Sequence, residues 1–274
     1  MTSHTDRVID FYHRRLSGRS PRKGEFMNFG LWERHTSDYQ SAAEHLVRKV
    51  ADRGNVTAGS VVLSAGHGSG AECELISKVY HPLQITGIDL YAPHISHARA
   101  YNTRENVSYL TGDVVAVNTI WHLKGHFTHA LAIEGIAHFD TREEYYKNVR
   151  DVLTRNGRVA SGDIIQKRPP KTKFEKWLVK NAAWHWRMPE ANVIGKELYY
   201  LMLRHNGYKF IDIDPVGDKV FRPYCENAMR LENRVRQIRE RGIIDGIASI
   251  ILDWTISKLA GDGLLEYVIV SAKK

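Results

Sequence analysis

Short apolar runs alternate with amphipathic stretches through the middle of this chain. Val61-Val62-Leu63, Ile85-Thr86-Gly87-Ile88 and Ala130-Leu131-Ala132-Ile133 have the length of strands, and their continuous apolar character predicts burial on both faces. After the first run, Ala71, Leu75, Ile76 and Val79 recur at helical spacing. Strands and helices alternate in this way from Val61 to Ile165, which predicts parallel βαβ units and an α/β fold of the doubly wound kind.

Helical patterns flank this core on both sides. Before it, Val8 to Leu16 reads as a short helix carrying Phe11 and Tyr12, Gly18 to Gly24 as a basic loop around Pro21, and Tyr39 to Ala51 as a second helix. After it, Pro169-Pro170 break the chain, Lys171 to Arg187 reads as an inserted helix, and Gly195 to Asn206 as another that Gly207 ends. Tyr208 to Ile213 and Leu264 to Ser271 read as strands, with a long insert from Val220 to Leu259 between them. On that insert Phe221, Tyr224, Ala228, Leu231, Val235 and Ile238 form one apolar stripe. Ile243, Ile247, Ile250, Ile251 and Trp254 continue such a stripe past Gly242, and core packing is the default expectation for both. An insert joining two edge strands also has room to fold over a site and give an organic substrate an apolar wall.

Candidate chemistry gathers where the first strand ends. Ser64-Ala65-Gly66-His67-Gly68-Ser69-Gly70 sets three glycines one residue apart at a helix start, a tight turn that lets a ligand approach the backbone. Dinucleotide and other nucleotide binders use such turns too. Asp89 closes the second strand, where an acid suits the two ribose hydroxyls of an adenosine. The spacing G-x-x-x-x-G-K-[ST] is absent, and Gly-His-Gly-Ser-Gly is not G-x-G-x-x-G. The expected ligand is therefore an adenosine without a pyrophosphate.

The ordered motifs from about residue 60 to residue 165 resemble the class I S-adenosylmethionine-dependent methyltransferases, in the small-molecule branch of natural-product tailoring enzymes. Val62 to Gly70 is similar to that family's first motif, and Ile88-Asp89 to its acidic second-strand motif. Thr111-Gly112-Asp113-Val114 resembles the segment that brackets the adenine. Ala130 to Phe139 resembles the fourth strand and its loop, and Tyr146 to Asp163 the helix, turn and fifth strand that follow. Asn156 stands where the family often has a glycine, and Ser64 where it usually has the acid that holds the cofactor's amino group. The resemblance implies a mostly parallel, seven-stranded Rossmann-like sheet with a helical cap. It also implies S-adenosylmethionine as cofactor and methyl transfer to a small organic acceptor, with a hydroxyl first among the candidates. N- or C-methylation, and a cofactor-binding enzyme with a non-methylating reaction such as cyclisation, stay open as alternatives.

On that resemblance the cofactor touches Ser64, Ala65, Gly66, His67, Gly68 and Gly70 in the turn, Asp89 and Leu90 after the second strand, then Gly112, Asp113, Val114 and Glu134. Asn28-Phe29-Gly30-Leu31-Trp32 resembles the aromatic segment such enzymes fold over the cofactor, which adds Phe29 and Trp32. Aromatic faces attract a sulfonium and exclude water. Substrate-binding candidates are Tyr12, Trp184, His185, Trp186 and Trp254. Taking a proton from an acceptor hydroxyl calls for a base that titrates near neutrality, which singles out His138, with His185 in reserve. Glu134 would orient His138 or bind substrate; packing beside Phe139 is the alternative use of His138. One domain spans 1–274, with an N-terminal helical lid over 1–56, a cofactor-binding core over 57–166, and cap inserts over 167–206 and 220–259 lining the acceptor pocket.

Composition narrows the partners. A chain of 274 residues can bury one large core, or a core and a cap. No apolar run is long enough for a bilayer and the N-terminal residues show no signal-peptide core, so a cytoplasmic location is expected. Cys73 and Cys225 lie far apart and read as reduced thiols. The 14 histidines fall into no ligand spacing, so no metal is expected. The formal charge of +8 gathers in Lys167 to Lys180 and Arg230 to Arg241. Lys173, Lys176 and Lys180 share a helix face, a solvated surface in the plainer reading and an attractor of anionic acceptors in the sharper one. The expected partner is a small-molecule acceptor, anionic or aromatic, with no nucleic acid and no membrane, and the protein acts as a monomer or homodimer.

Overall fold

The computed structural model describes residues 3–15 and 24–274. The basic loop expected over 18–24 lies outside the described residues except for Gly24, as does Leu16 at the end of the first expected helix. The strands are β1 (Val61–Ala65), β2 (Gln84–Asp89), β3 (Val107–Thr111), β4 (Phe127–Ile133), β5 (Leu153–Gln166), β6 (Lys209–Pro215) and β7 (Leu265–Lys273). They form one sheet in the order β3-β2-β1-β4-β5-β7-β6. The neighbours from β3 to β5 pair in parallel, and β7 runs antiparallel to β5 and β6. This is the doubly wound α/β sheet expected. Strand order reverses at β1 and β4, and ligands of open α/β sheets bind at the carboxyl ends of the strands beside such a reversal.

The helices are α1 (His4–Arg15), α2 (Tyr39–Gly54), α3 (Ala71–Tyr80), α4 (Ala92–Tyr101), α5 (Arg142–Val152), α6 (Lys173–His185), α7 (Lys196–His205), α8 (Phe221–Ala228) and α9 (Leu231–Gly261). Local chemistry fixes several ends. Asp38 accepts the Ser41 N–H before α2, and Thr172 and Glu175 form a reciprocal capping box on α6. Two stretches expected to be peripheral belong to the core layers. α2 packs against β4, β5 and β7, and α7 buries Tyr199 and Leu203 beside β6. Only α1 and the segment around Phe29 from the expected lid, and only the end of α6 with the residues just after it from the first expected insert, reach the site described below. Asn156-Gly157, expected as a turn before β5, instead sits in a bulge, because the pairing jumps from Phe127↔Leu153 to His129↔Arg158.

The cap departs most from its pattern. α9 breaks at Gly242, whose φ is 80°, and folds back on itself. Gln237 Nε2 donates to Asp253 Oδ2 at 3.1 Å across 16 residues, a separation that spans roughly 24 Å in a straight helix. Gly246 lets the two arms touch, since a Cβ there would lie 2.6 Å from Ile238 Cα. The arms therefore meet through Gln237, Gly246, Ser249 and Asp253. The α8 part of the first stripe, Phe221 and Ala228, is buried as expected, but along α9 the stripes turn outward, and Leu231, Val235, Ile243, Ile247, Ile251 and Trp254 are exposed. Cys225, Ile256 and Leu259 complete the core packing of α8 and α9. Among the described residues, no helix is long and apolar enough to cross a membrane.

Candidate active site

The turn after β1 is held from every side. Gly66, Gly68 and Gly70 have φ of 68°, 59° and 85°, a region where a side chain is strained. The Gly66 N–H donates to Ile88 O at 2.8 Å, tying the turn to β2. A Cβ on Gly70 would lie 2.7 Å from Ala98 Cβ. The His67 ring turns inward: it packs at a tilt against Tyr109, with centroids 5.0 Å apart, and covers Gly87. Both its ring nitrogens are buried without a hydrogen-bond partner, and burial pulls its pKa down to about 4. His67 is thus a neutral packing residue whose backbone alone is available to a ligand.

Asp89 stands at the tip of β2. Its Oδ2 accepts from the Gly68 N–H at 2.9 Å; its Oδ1 accepts from the Tyr91 N–H at 2.9 Å and faces His94 Nδ1 at 3.2 Å. Burial pushes its pKa up, but the hydrogen bond and charges of the neighbouring histidines outweigh that and hold it below the usual range. An ionised carboxylate keeps lone pairs for further donors. Asp89, Leu90, Asp113 and Val114 line a cavity of about 60 Å³ that α1 roofs with Thr5, Val8 and Ile9.

A larger cavity, about 360 Å³, opens on the other side of the turn. Its inner end is formed by Gly66, Gly68, Phe29, Glu72 and Glu134. Its outer walls are Trp184 and His185 at the end of α6, Trp186 and Arg187 just beyond it, and Gln237, Arg241, Asp245, Ser249 and Asp253 from both arms of α9. The cap wall is mixed: these polar side chains sit beside Tyr224, Ala248, Leu252 and Ile256, where the apolar stripes had predicted an apolar wall. The two cavities share Tyr12, Gly66, Gly135 and His138.

His138 occupies that junction, at the end of a 3₁₀ turn (Gly135–His138) that follows β4. The rings of Phe11 and Tyr12 lie 5.7 Å from its ring, and its carbonyl accepts from His4 Nε2 at 2.7 Å. Asn192 holds the turn from below through the carbonyls of Ala137 and Phe139, at 3.1 and 2.9 Å. Asn192 is held in turn by the buried Arg142, whose Nε reaches Asp163 at 2.7 Å. Glu134, with φ of 63°, accepts from the Phe29 N–H at 2.7 Å and the Tyr267 hydroxyl at 3.1 Å. Its carboxylate thereby fastens the N-terminal segment to the sheet.

Several expected contacts are absent. Trp254 is half exposed on the outside of α9 and lines neither cavity. Trp32 spends its Nε1 on Phe29 O at 3.1 Å and is likewise outside both. Ser64, Ala65, Gly70 and Gly112 lie behind the lining, and the Gly112 N–H donates to Asp89 O at 3.0 Å. Lys173, Lys176 and Lys180 are exposed and away from both cavities, as a solvated face requires. The sequence reading missed Glu72, Asn192, Arg142 and the polar side chains of the α9 wall. Gln237, Arg241, Asp245, Ser249 and Asp253 recur at every fourth position, a polar stripe that was available as a signal.

A family model described as a methyltransferase domain matches residues 62–157, from β1 to β5. Over this stretch the chain carries a methyltransferase domain. It is 24% identical over 268 residues to erythromycin 3''-O-methyltransferase of Saccharopolyspora erythraea, covering 92% of this chain and 84% of that one. It is 28% identical over 220 residues to the O-methyltransferase resE of Aspergillus sclerotiorum, covering 77% and 80%. Among solved structures, the [4+2]-cyclase SpnF is similar with a TM-score of 0.72 and 18% identity, over 100% of this chain and 97% of that one. Fold alone does not distinguish methyl transfer from cyclisation. The residues present fit S-adenosylmethionine. The glycine turn leaves its backbone open to a ligand, ionised Asp89 offers acceptors to hydroxyls, and the apolar slot beside Leu90 and Val114 is closed by α1.

Proposed function

We propose that this methyltransferase transfers the methyl group of S-adenosylmethionine to a hydroxyl of a small, polar organic acceptor in secondary metabolism. The observation that carries the reading is the position of His138, at the one junction described between the two cavities. The names of the curated relatives, both O-methyltransferases, support oxygen as the accepting atom. When bound, S-adenosylmethionine supplies a methyl group on a positively charged sulfur. Asp89 accepts from the ribose hydroxyls, and Asp113 and Val114 border the adenine. Phe29, with Trp32 supporting its backbone, covers the sulfur end and keeps water out. The cap wall of Gln237, Arg241, Asp245 and Ser249 hydrogen-bonds the acceptor, while Tyr12, Trp184, His185 and Trp186 orient it. Correct placement is the largest part of the rate in a displacement of this kind. The His138 imidazole removes the proton from the acceptor hydroxyl as its oxygen attacks.

Turnover of a panel of hydroxylated acceptors with labelled S-adenosylmethionine tests the reading. With the accepted compound, His138→Ala should lower kcat by roughly 10²–10⁴-fold and leave cofactor affinity intact. The wild type should also lose activity on the acid side with a histidine-like limb that the variant lacks. Identical pH profiles would remove His138 from the chemistry and make His185 the next residue to test.

A further inference from the structure

Ser64 stands where the family's first motif usually carries an acid, yet a buried acid lies beside it. Glu72, in the first turn of α3, accepts the Ser64 hydroxyl hydrogen bond on Oε1 at 2.6 Å. It is buried, and it lines the larger cavity together with Gly66, Gly68, Glu134 and Gly135. Among the described residues it makes no ion pair. The polar groups around it are Ser64 from β1, Asp89 from the end of β2, Tyr109 from β3, Tyr267 from β7 and Cys73 on its own helix. No cation is among them. A buried carboxyl that faces a cavity and is held by one hydroxyl is completed by an ammonium group.

We propose that Glu72 takes the place of the missing acid and holds the α-amino group at the methionine end of the cofactor, with Ser64 orienting its carboxylate. The acid has moved eight residues along the chain, from the strand to the helix, while its charge stays at the same end of the cavity. This rests on S-adenosylmethionine being the cofactor. Burial, and then the charge of Asp89, push the Glu72 pKa up to about 8 against the smaller effect of the Ser64 hydrogen bond, so the free enzyme holds it protonated at neutral pH. Arrival of the ammonium ionises it, and the proton leaves to solvent.

Calorimetry with two ligands tests this: S-adenosylhomocysteine, and 5′-methylthioadenosine, which keeps the adenosyl thioether but lacks the amino-acid end. At pH 7 the wild type should release a proton on binding the first and none on binding the second, read from heats in buffers of different ionisation enthalpy. Glu72→Gln should weaken S-adenosylhomocysteine roughly 10- to 100-fold and leave methylthioadenosine within about twofold. The exchange Ser64→Asp with Glu72→Ser should restore the first affinity. Equal losses for both ligands in Glu72→Gln, or equal proton release by both in the wild type, would overturn the assignment. The wild-type measurement stands even if a variant does not fold. If neither ligand binds the wild type, the cofactor reading itself falls, and this inference with it.

Discussion

The turn after β1 and the fold-back in α9 both depend on glycines at positive φ, and they use them differently. At Gly70 the conformation is special and the space is full, with Ala98, Tyr109 and backbone within contact of any added atom. At Gly242 φ is equally positive, at 80°, but nothing lies within 4 Å of a Cβ. The first glycine is demanded by conformation and by packing together, the second by conformation alone. The ligand end of the sheet is therefore specified by close contact. The cap is specified by a hinge and one point of backbone contact at Gly246.

Three substitutions bear on this contrast. Gly70→Ala adds left-handed strain to overpacking, and should cost about 2–5 kcal/mol of stability and reduce cofactor affinity, as read from urea midpoints and calorimetry. A cost under about 1 kcal/mol would mean that the turn is looser than its contacts indicate. Gly246→Val pushes the two arms of α9 apart at Ile238, and should cost about 1–3 kcal/mol. Acceptor turnover should fall while S-adenosylhomocysteine binding stays unchanged. Loss of both together would show that the cap and the cofactor end form one packed unit. Ile247→Ser with Ile251→Ser, on the outward face, should change stability by less than about 0.5 kcal/mol per site. A larger loss would show that this face is covered in solution, and sedimentation of the wild type would then reveal the second copy.

What the sequence disclosed follows the same division. The glycine turn, Asp89 and the position of His138 were legible because each lies within a few residues of a strand end, where motif and geometry are local. Glu72 was hidden in plain view: it reads as an ordinary acid in the first turn of a helix, and only its contact with Ser64 distinguishes it. The support of His138 by Asn192, Arg142 and Asp163 joins residues 21 to 55 positions apart, which no spacing rule connects. In the cap, the isoleucines of α9 carry the period of a buried helix, and that period cannot tell a straight helix from two arms meeting through their polar sides. The fold-back at Gly242 reverses which face is inside, so the stripe that looked like core became surface.

Glu134 has a consequence for how the protein comes into being. Its carboxylate joins the amide of Phe29 to the hydroxyl of Tyr267, and Tyr267 belongs to β7, which lies between β5 and β6. A chain growing from the ribosome makes β6 well before the strand that must separate it from β5 exists. Until β7 emerges, the gap in the sheet stays open and the N-terminal segment has only half of its anchor. Completion of this anchor therefore waits on β7, and a chain that stalls shortly before it would expose two unpaired strand edges to its neighbours.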